Sequence, residues 1–386
     1  MNIAQSSMVS QILFGEGASM AIGQTLQQMG VQKALIITDQ IIRKVGLIDG
    51  VVSGMEQAGI DFDVFDGVQP ENPAEIIDTT AVMITENGYK ALVAVGGGSA
   101  MDLAKSVRIL MANPGTIKDY FDTMKPRQMS TVPLILIPTT AGTSSEISHG
   151  LVIFDNEQNK KIGLQGPDLA ASIACVDPLL CKNLPPRITA TTGFDCLCHA
   201  AESLTCKLNE NPITDMMGKE AVRLVADNLE KVVNDGSDME ARTNMSLACV
   251  YAGIAFNNCP PHLGHSLGHT AGALFHLVHG EACGAFLPLV MRVSATVKPE
   301  RVKMIGEALG LTFNNDDTAE MIGKRTADKV RELYLAIGLK PLKELISEED
   351  IAPLAAGAVQ DPGVFIWSVA LEAAELEELI KEEYFL

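Results

Sequence analysis

Five of the seven histidines crowd into residues 262–279, HLGHSLGHTAGALFHLVH, within an otherwise apolar stretch of helical period. His265 and His269 are four residues apart and so share one helix face, and His279 follows just before Gly280. A second helical stretch, TATTGFDCLCHAAESL, carries Asp195 and His199 at the same spacing. A carboxylate with several imidazoles is a donor set for Fe(II), Zn(II) or Mn(II), whereas a site for soft metals would recruit thiolates. The plainer reading of such an Asp/His pair is a local hydrogen bond, and of a histidine-rich helix a solvated face. The apolar neighbours argue against it, because desolvating several imidazoles without a partner is costly and a bound cation removes that cost.

A second chemical signal sits nearer the start. ALVAVGGGS (91–99) ends a β-type run in glycines and passes into MDLAKSVRILM, which has helical character. Gly96, Gly97 and Gly98 would let the backbone approach a ligand closely, and Ser99 opens a helix whose N-terminal N–H groups favour a pyrophosphate. Ala100 and Met101 leave the G-x-G-x-x-G pattern incomplete, so a simple tight turn is the alternative. Asp39 closes the first β-type run, where a carboxylate would take the adenosine ribose hydroxyls and repel a 2′-phosphate. NAD(H) is therefore expected over NADP(H), unless Asp39 is an ordinary cap.

The elements that must hold these residues divide the chain in two. KALIITD (33–39), FDVFDGV (62–68), ALVAVGGGS and PLILIPTTAGTSSE (133–146) alternate with helical patterns over roughly 45–58, 74–88 and 100–111, the signature of βαβ units and a parallel sheet. GLVIFD (150–155) and ASIACVD (171–177) add extended segments around a polar turn, DNEQNKK. After Leu184-Pro185-Pro186 nearly every pattern is helical: 189–206, 212–234, 238–257, 261–277, 280–297, 317–338 and 366–384, with a capping-box start at Ser347. The expected architecture is a Rossmann-like α/β domain with a parallel sheet over 1–185, which binds the nucleotide, and an all-α metal-binding domain over 186–386.

Five motifs together resemble those of the iron-containing (group III) alcohol dehydrogenases. DCLCHAAES resembles that family's DAxxHAxE element, and His265-x3-His269-x9-His279-Gly280 its HxxxHxxGxxxxxxHG element. GGGSAMDLAKS and PTTAGTSSEIS resemble its GGGSxxDxAK and PTTAGTGSE elements, and VQPENP its NP element, in the same order over nearly the whole chain. The resemblance implies the family's two-domain architecture, shared with dehydroquinate synthases. It implies Asp195, His199, His265 and His279 as metal ligands and Fe(II) as the metal, with Zn(II) or Mn(II) as alternatives. His269 then matches the family's non-ligand histidine beside the nicotinamide, and it is the candidate proton relay because imidazole titrates near neutral pH. By the same resemblance Thr139, Thr140 and Thr143 border the adenine and ribose, Ser148 lies toward the nicotinamide, Lys161 toward a ribose, and Asn72 is a further cofactor contact. Asp102 is expected to support the glycine turn, and His262 and His276 match no ligand position. Ser144 stands where the family commonly has glycine, and His149 is a core histidine or a donor to a polar substrate tail.

The implied activity is a metal-dependent interconversion of a small aldehyde and its primary alcohol with NAD(H), the alcohol or aldehyde being the only partner besides a second copy in a homodimer or higher homo-oligomer. The rival readings are a dehydroquinate synthase-like or glycerol dehydrogenase-like enzyme, or a non-catalytic metal-binding protein. A dehydroquinate synthase needs many basic residues for a phosphorylated substrate, and around the metal motifs only Lys207, Lys219, Arg223, Lys231 and Arg242 are at hand. Net charge of −19, from 29 basic and 48 acidic residues, disfavours nucleic acid and anionic membrane surfaces as partners. The opening MNIAQSSMVSQILFGEGA lacks a basic region followed by a long apolar run, and the eight cysteines form no CxxC pair. Reduced core thiols and a cytoplasmic location are expected.

Overall fold

The computed structural model describes residues 11–70, 72–122, 125–157 and 160–386. The first ten residues, which bear on the expected absence of a leader, lie outside the described residues, as does Glu71 of the NP element. The chain forms two compact units. Of the described residues, one comprises 11–182 apart from 141–143; the other comprises 183–386 together with 141–143.

The first unit is built from β1 (Ile12–Phe14), α1 (Ile22–Gln28), β2 (Lys33–Ile37), α2 (Gln40–Lys44), α3 (Asp49–Gln57), β3 (Asp61–Phe65), α4 (Ala74–Asn87), β4 (Ala91–Gly96), α5 (Gly98–Ala112), β5 (Leu134–Pro138), β6 (Gly150–Asp155), β7 (Lys160–Gln165) and β8 (Ile173–Val176). Six strands pair in parallel in the order β1-β8-β5-β4-β2-β3. The central strands read as unbroken apolar runs because both faces are covered. Leu35, Ile37, Leu92, Ala94, Leu134 and Leu136 pack into one layer. Their neighbours Ala34, Ile36, Val93, Val95, Ile135 and Ile137 pack into the other, as the two-residue alternation of a strand requires. From β2 the chain moves outward to β3 and then returns across to β4, so the strand order reverses between β2 and β4. The carboxyl ends of strands at such a reversal are where open parallel sheets bind ligands.

Two strands escape the sequence patterns. β1 has only three residues and shows no period, yet it pairs with β8. Residues 160–161, expected in a polar turn, begin β7, which pairs antiparallel with β6 from Gly150↔Gln165 to Asp155↔Lys160. Ladder hydrogen bonds to a strong strand outweigh the weak intrinsic preference of lysine.

The second unit is helical: α6 (Pro186–Thr205), α7 (Pro212–Asn234), α8 (Met239–Asn258), α9 (Leu263–Phe275), α10 (His279–Ala295), α11 (Pro299–Ala308), α12 (Ala319–Ala336), α13 (Leu342–Leu345), α14 (Ile351–Ala358) and α15 (Ala373–Tyr384). Every residue of α6 from Gly193 to Thr205 is buried, so this helix is central, packed by α7, α8 and α10. Its polar residues are therefore deep in the protein. The helix expected over 366–384 starts only at Ala373, where Glu372 and Glu375 form a capping box. Trp367 instead bridges to Cys206 through the backbone and donates its indole N–H to Ser294 Oγ at 3.0 Å. α11 has no counterpart among the expected helices. All eight cysteines are buried, and none of them is joined in a disulfide. Among the described residues no helix is long and apolar enough to cross a membrane.

Candidate metal centre and nucleotide turn

α6 points Asp195, His199 and Glu202 along one face, since residues four and then three apart fall on consecutive turns. α9 supplies His265 and His269, and α10 begins at His279. Potential ligand atoms of Asp195, His265, His279 and Cys283 all lie within 4.8 Å of one another. His265 Nε2 is 3.7 Å and His279 Nε2 is 3.5 Å from Asp195 Oδ1. His199 stands beside this group, its Nδ1 3.9 Å from Asp195 Oδ2 and its ring stacked 4.5 Å from that of His265.

Asp195 Oδ1, His265 Nε2 and His199 Nδ1 are buried without any hydrogen-bond partner. Such groups are costly to leave bare; Asp195 Oδ1 and His265 Nε2 gather with His279 Nε2 within the reach of one cation, and His199 Nδ1 lies next to them. Donors held by one cation through bonds of about 2.1 Å lie roughly 3–3.5 Å apart, close to the spacings around Asp195 Oδ1. The remaining nitrogens are already used: the His199 ring pairs with the Gly142 carbonyl and His265 Nδ1 pairs with Glu202 Oε2. The donor set thus fits a divalent cation of intermediate hardness. Burial alone would raise the Asp195 carboxyl, but the imidazoles of His199, His279 and His265 outweigh it and hold the group far below the usual carboxylate range.

His269 remains outside the group of potential ligand atoms, with its side chain 40% exposed. Its Nδ1 is 3.2 Å from Asp361 Oδ2, and its ring stacks on that of His279 at 5.4 Å. Asp361 Oδ1 accepts from Ser266 Oγ at 2.9 Å and from Gly363 N–H at 2.8 Å, so the carboxylate that orients His269 is itself fixed. His262 is a fully buried core histidine with Nε2 2.9 Å from Thr205 Oγ1. His276 is the left-handed C-cap of α9, at φ 57°.

In the α/β unit, Gly97 is the N-cap of α5, and Gly98 and Ser99 form its first turn, with no acidic side chain there to compete for an anion. Asn72 Nδ2 donates to the Ser99 carbonyl at 2.6 Å while its Oδ1 accepts from Gln69 N–H, so Asn72 braces the turn. Asp39 caps α2, its Oδ1 accepting from Ile41 and Ile42 N–H at 2.8 and 2.9 Å. Thr139 N–H donates to the Gly96 carbonyl at 3.0 Å, and the buried Thr140 Oγ1 has no partner. Ser148 is engaged by Lys105, whose buried ammonium donates to Ser148 Oγ, Ser145 Oγ and the Gly150 carbonyl. Burial pushes Lys105 down to about 8, against the pull of Asp102 and Glu146. Asp102 accepts from Ser145 Oγ and Val152 N–H, so what it supports is the 145–152 segment. Lys161 stands in β7 opposite Phe154, and His149 is half-buried, held low by burial and Lys105. Ser144 adopts φ 50°, the left-handed region that explains why a glycine suits this position.

The sequence patterns left Glu202, Cys283, Lys105 and Asp361 without roles. Glu202 and Lys105 carried a spacing signal, each three residues beyond a singled-out residue on the same helix. Cys283 stands four after His279, with Sγ 3.8 Å from both ring nitrogens of that histidine. Asp361 carried none.

A Cβ built on Gly97 meets nothing within 4 Å, and its backbone is one any residue adopts. Gly97→Ala is expected to fold, losing at most about 1 kcal/mol through the poorer cap. If a pyrophosphate rests against this backbone, the added methyl weakens NADH binding at least ~10-fold, about 1.4 kcal/mol of lost contact. Fluorescence titration beside a thermal melt reads both, and an unchanged NADH affinity would remove the turn from the cofactor site.

Comparison with known proteins covers nearly the whole chain. A family model described as iron-containing alcohol dehydrogenase matches residues 10–178, and one for the C-terminal part of the Fe-containing alcohol dehydrogenase family matches 189–384. A choline dehydrogenase of Bacillus subtilis (strain 168) is 34% identical over 92% of this chain and 88% of its own length. An NAD-dependent methanol dehydrogenase of Bacillus methanolicus is 33% identical over 90% of this chain and 91% of its own. The crystal structure of a sulfoacetaldehyde reductase from Bifidobacterium kashiwanohense in complex with NAD+ superposes with TM-score 0.91 at 28% identity, over 100% of this chain and 99% of the other.

Proposed function

The chain belongs to the iron-containing alcohol dehydrogenase family, and from that premise we propose that Asp195, His199, His265 and His279 hold Fe(II) while Asp39, Gly97, Gly98 and Ser99 lead the residues that hold NAD(H). It is an NAD(H)- and metal-dependent oxidoreductase that interconverts a small aldehyde and its primary alcohol. The observation that carries the metal assignment is the gathering of Asp195, His265 and His279 ligand atoms, with Asp195 Oδ1 and His265 Nε2 buried and partnerless and the partnerless His199 Nδ1 beside them. When bound, the metal supplies Lewis acidity to the substrate oxygen and the nicotinamide supplies or accepts the hydride.

The chain's own residues do the rest. Asp195 contributes a fixed negative charge, and His265, His199 and His279 present imidazole nitrogens. The first turn of α5 offers backbone N–H groups and a positive dipole end to the pyrophosphate. Asn72 holds that turn, and Thr139, Thr140, Thr143, Ser148 and Lys161 complete the cofactor's surroundings. Ser148 acts with its hydroxyl already held by Lys105. The division near residue 185 separates the nucleotide-binding part from the metal-binding part. A cytoplasmic location with reduced core thiols, and a homodimer or higher homo-oligomer as the assembly, belong to the same reading.

His269 is the proposed proton carrier. Asp361 engages Nδ1, leaving Nε2 to exchange a proton between the substrate oxygen and water. His269→Ala is expected to keep its metal and lose about 10²-fold in kcat, with one inflection gone from the kcat–pH profile. Metal analysis and steady-state rates from pH 5 to 9 check this, and an unchanged profile would overturn the assignment.

The compounds for which the relatives are named differ in charge: choline is a cation, methanol neutral, sulfoacetaldehyde an anion. The deciding experiment is an anaerobic screen of short cationic, neutral and anionic aldehydes with NADH and added Fe(II), Mn(II) or Zn(II). Metal-dependent NADH oxidation, fastest with Fe(II), is expected. Saturable NADH binding without turnover on any of them would defeat the reading.

A further inference from the structure

We propose that Glu202 is a positioning residue of the metal centre, which fixes the ring tautomer of His265 so that the bare nitrogen is the one facing Asp195. The inference rests on the metal assignment above.

Glu202 is fully buried on α6, and both of its carboxylate oxygens are engaged across the α6–α9 junction. Oε1 accepts from the backbone N–H groups of Gly264, at 2.7 Å, and of His262, at 3.2 Å. These are orphan donors at the start of α9, where the positive end of the helix also favours an anion. Oε2 pairs with His265 Nδ1. A Cβ on Gly264 would lie 3.1–3.3 Å from the carboxyl atoms of Glu202, so glycine there leaves the carboxylate room to reach the α9 backbone. A carboxylate buried only to cap α9 would need Oε1 alone. The second oxygen has a different effect. Because it can only accept, it keeps the His265 proton on Nδ1 and leaves Nε2 as the lone-pair nitrogen, partnerless and 3.7 Å from Asp195 Oδ1. An imidazole that ligates through Nε2 needs this state. Asp195, His199 and Glu202 then act as one face of one helix, two offering donors directly and the third acting through a residue 63 positions away in sequence.

The test is Glu202→Gln. The amide keeps the side chain's volume, and its oxygen stays with the two backbone donors, which can only donate. Its NH2 must then face His265 Nδ1, which draws the lone pair to Nδ1 and moves the proton to Nε2. Zn(II) affinity of the metal-stripped protein, measured by competition with a chromophoric chelator, is expected to fall ~10–100-fold while circular dichroism reports an intact fold. Equal affinity in a folded Glu202→Gln protein would overturn the proposal. If that variant does not fold, the parent decides: with histidine-selective 15N labelling, the zinc-loaded protein is expected to show an exchange-protected His265 Nδ1–H at low field. A ring proton on Nε2 instead would equally overturn it. Should the parent bind no Zn(II) at all, the metal assignment itself fails, an outcome distinct from failure of the role given to Glu202.

Discussion

His265→Ala and His279→Ala are each expected to lose bound metal and turnover together, with kcat/KM for aldehyde reduction falling at least ~10³-fold, or about 4 kcal/mol of transition-state stabilisation. The two variants should differ in stability. The His279 side chain is 36% exposed, so its removal leaves the fold nearly intact. His265 is buried against Glu202. Removing it strands the Glu202 carboxylate, a loss of about 3 kcal/mol by analogy with other broken buried pairs. Metal content by mass spectrometry, NADH oxidation and urea unfolding of both variants separate the effects. Turnover that persists in metal-free His279→Ala would overturn the metal-dependent reading.

Gly280→Ala is the second large effect, although it changes no ligand. A Cβ at Gly280 would lie 2.1 Å from the Thr191 carbonyl oxygen and 3.0 Å from Asp195 Cβ. The first is backbone of α6 and cannot yield as a flexible side chain would. Relieving the overlap means pushing α10 away from α6, which carries His279 away from Asp195. A loss of about 3 kcal/mol in stability is expected, together with at least ~10-fold weaker metal binding. Chemical denaturation and the same chelator competition check it. The contrast with Gly97, where the same added methyl meets only open space, shows that one substitution type separates a packing glycine from a binding glycine.

The sequence revealed the parts of the site that are local. Asp195/His199 and His265/His269 could be paired because four residues make one helical turn, and the glycine turn stood out because a buried strand ended in it. The convergence of Asp195 with His265 and His279, some 70 to 84 residues away, is tertiary, and without the family resemblance nothing in either segment pointed to the other. The same holds for the supporting carboxylates: Asp361 reaches His269 across 92 residues. Ser148 is expected toward the nicotinamide, and its hydroxyl is held by Lys105, a buried cation that helical periodicity shows simply as one more polar position. Central strands were legible from their apolar runs, while β1 and β7 depended on partners outside their own sequence.

The cap on α2 ties coenzyme choice to folding. Asp39 uses one carboxylate oxygen to close the helix that follows β2, and the reading above gives the same side chain the task of refusing a 2′-phosphate. Converting the protein to NADP(H) by deleting that carboxylate would therefore also loosen the start of α2, by about 1 kcal/mol with alanine. Serine or asparagine keeps a capping oxygen without the charge, so retooling the coenzyme preference has a route through those two residues that spares the helix.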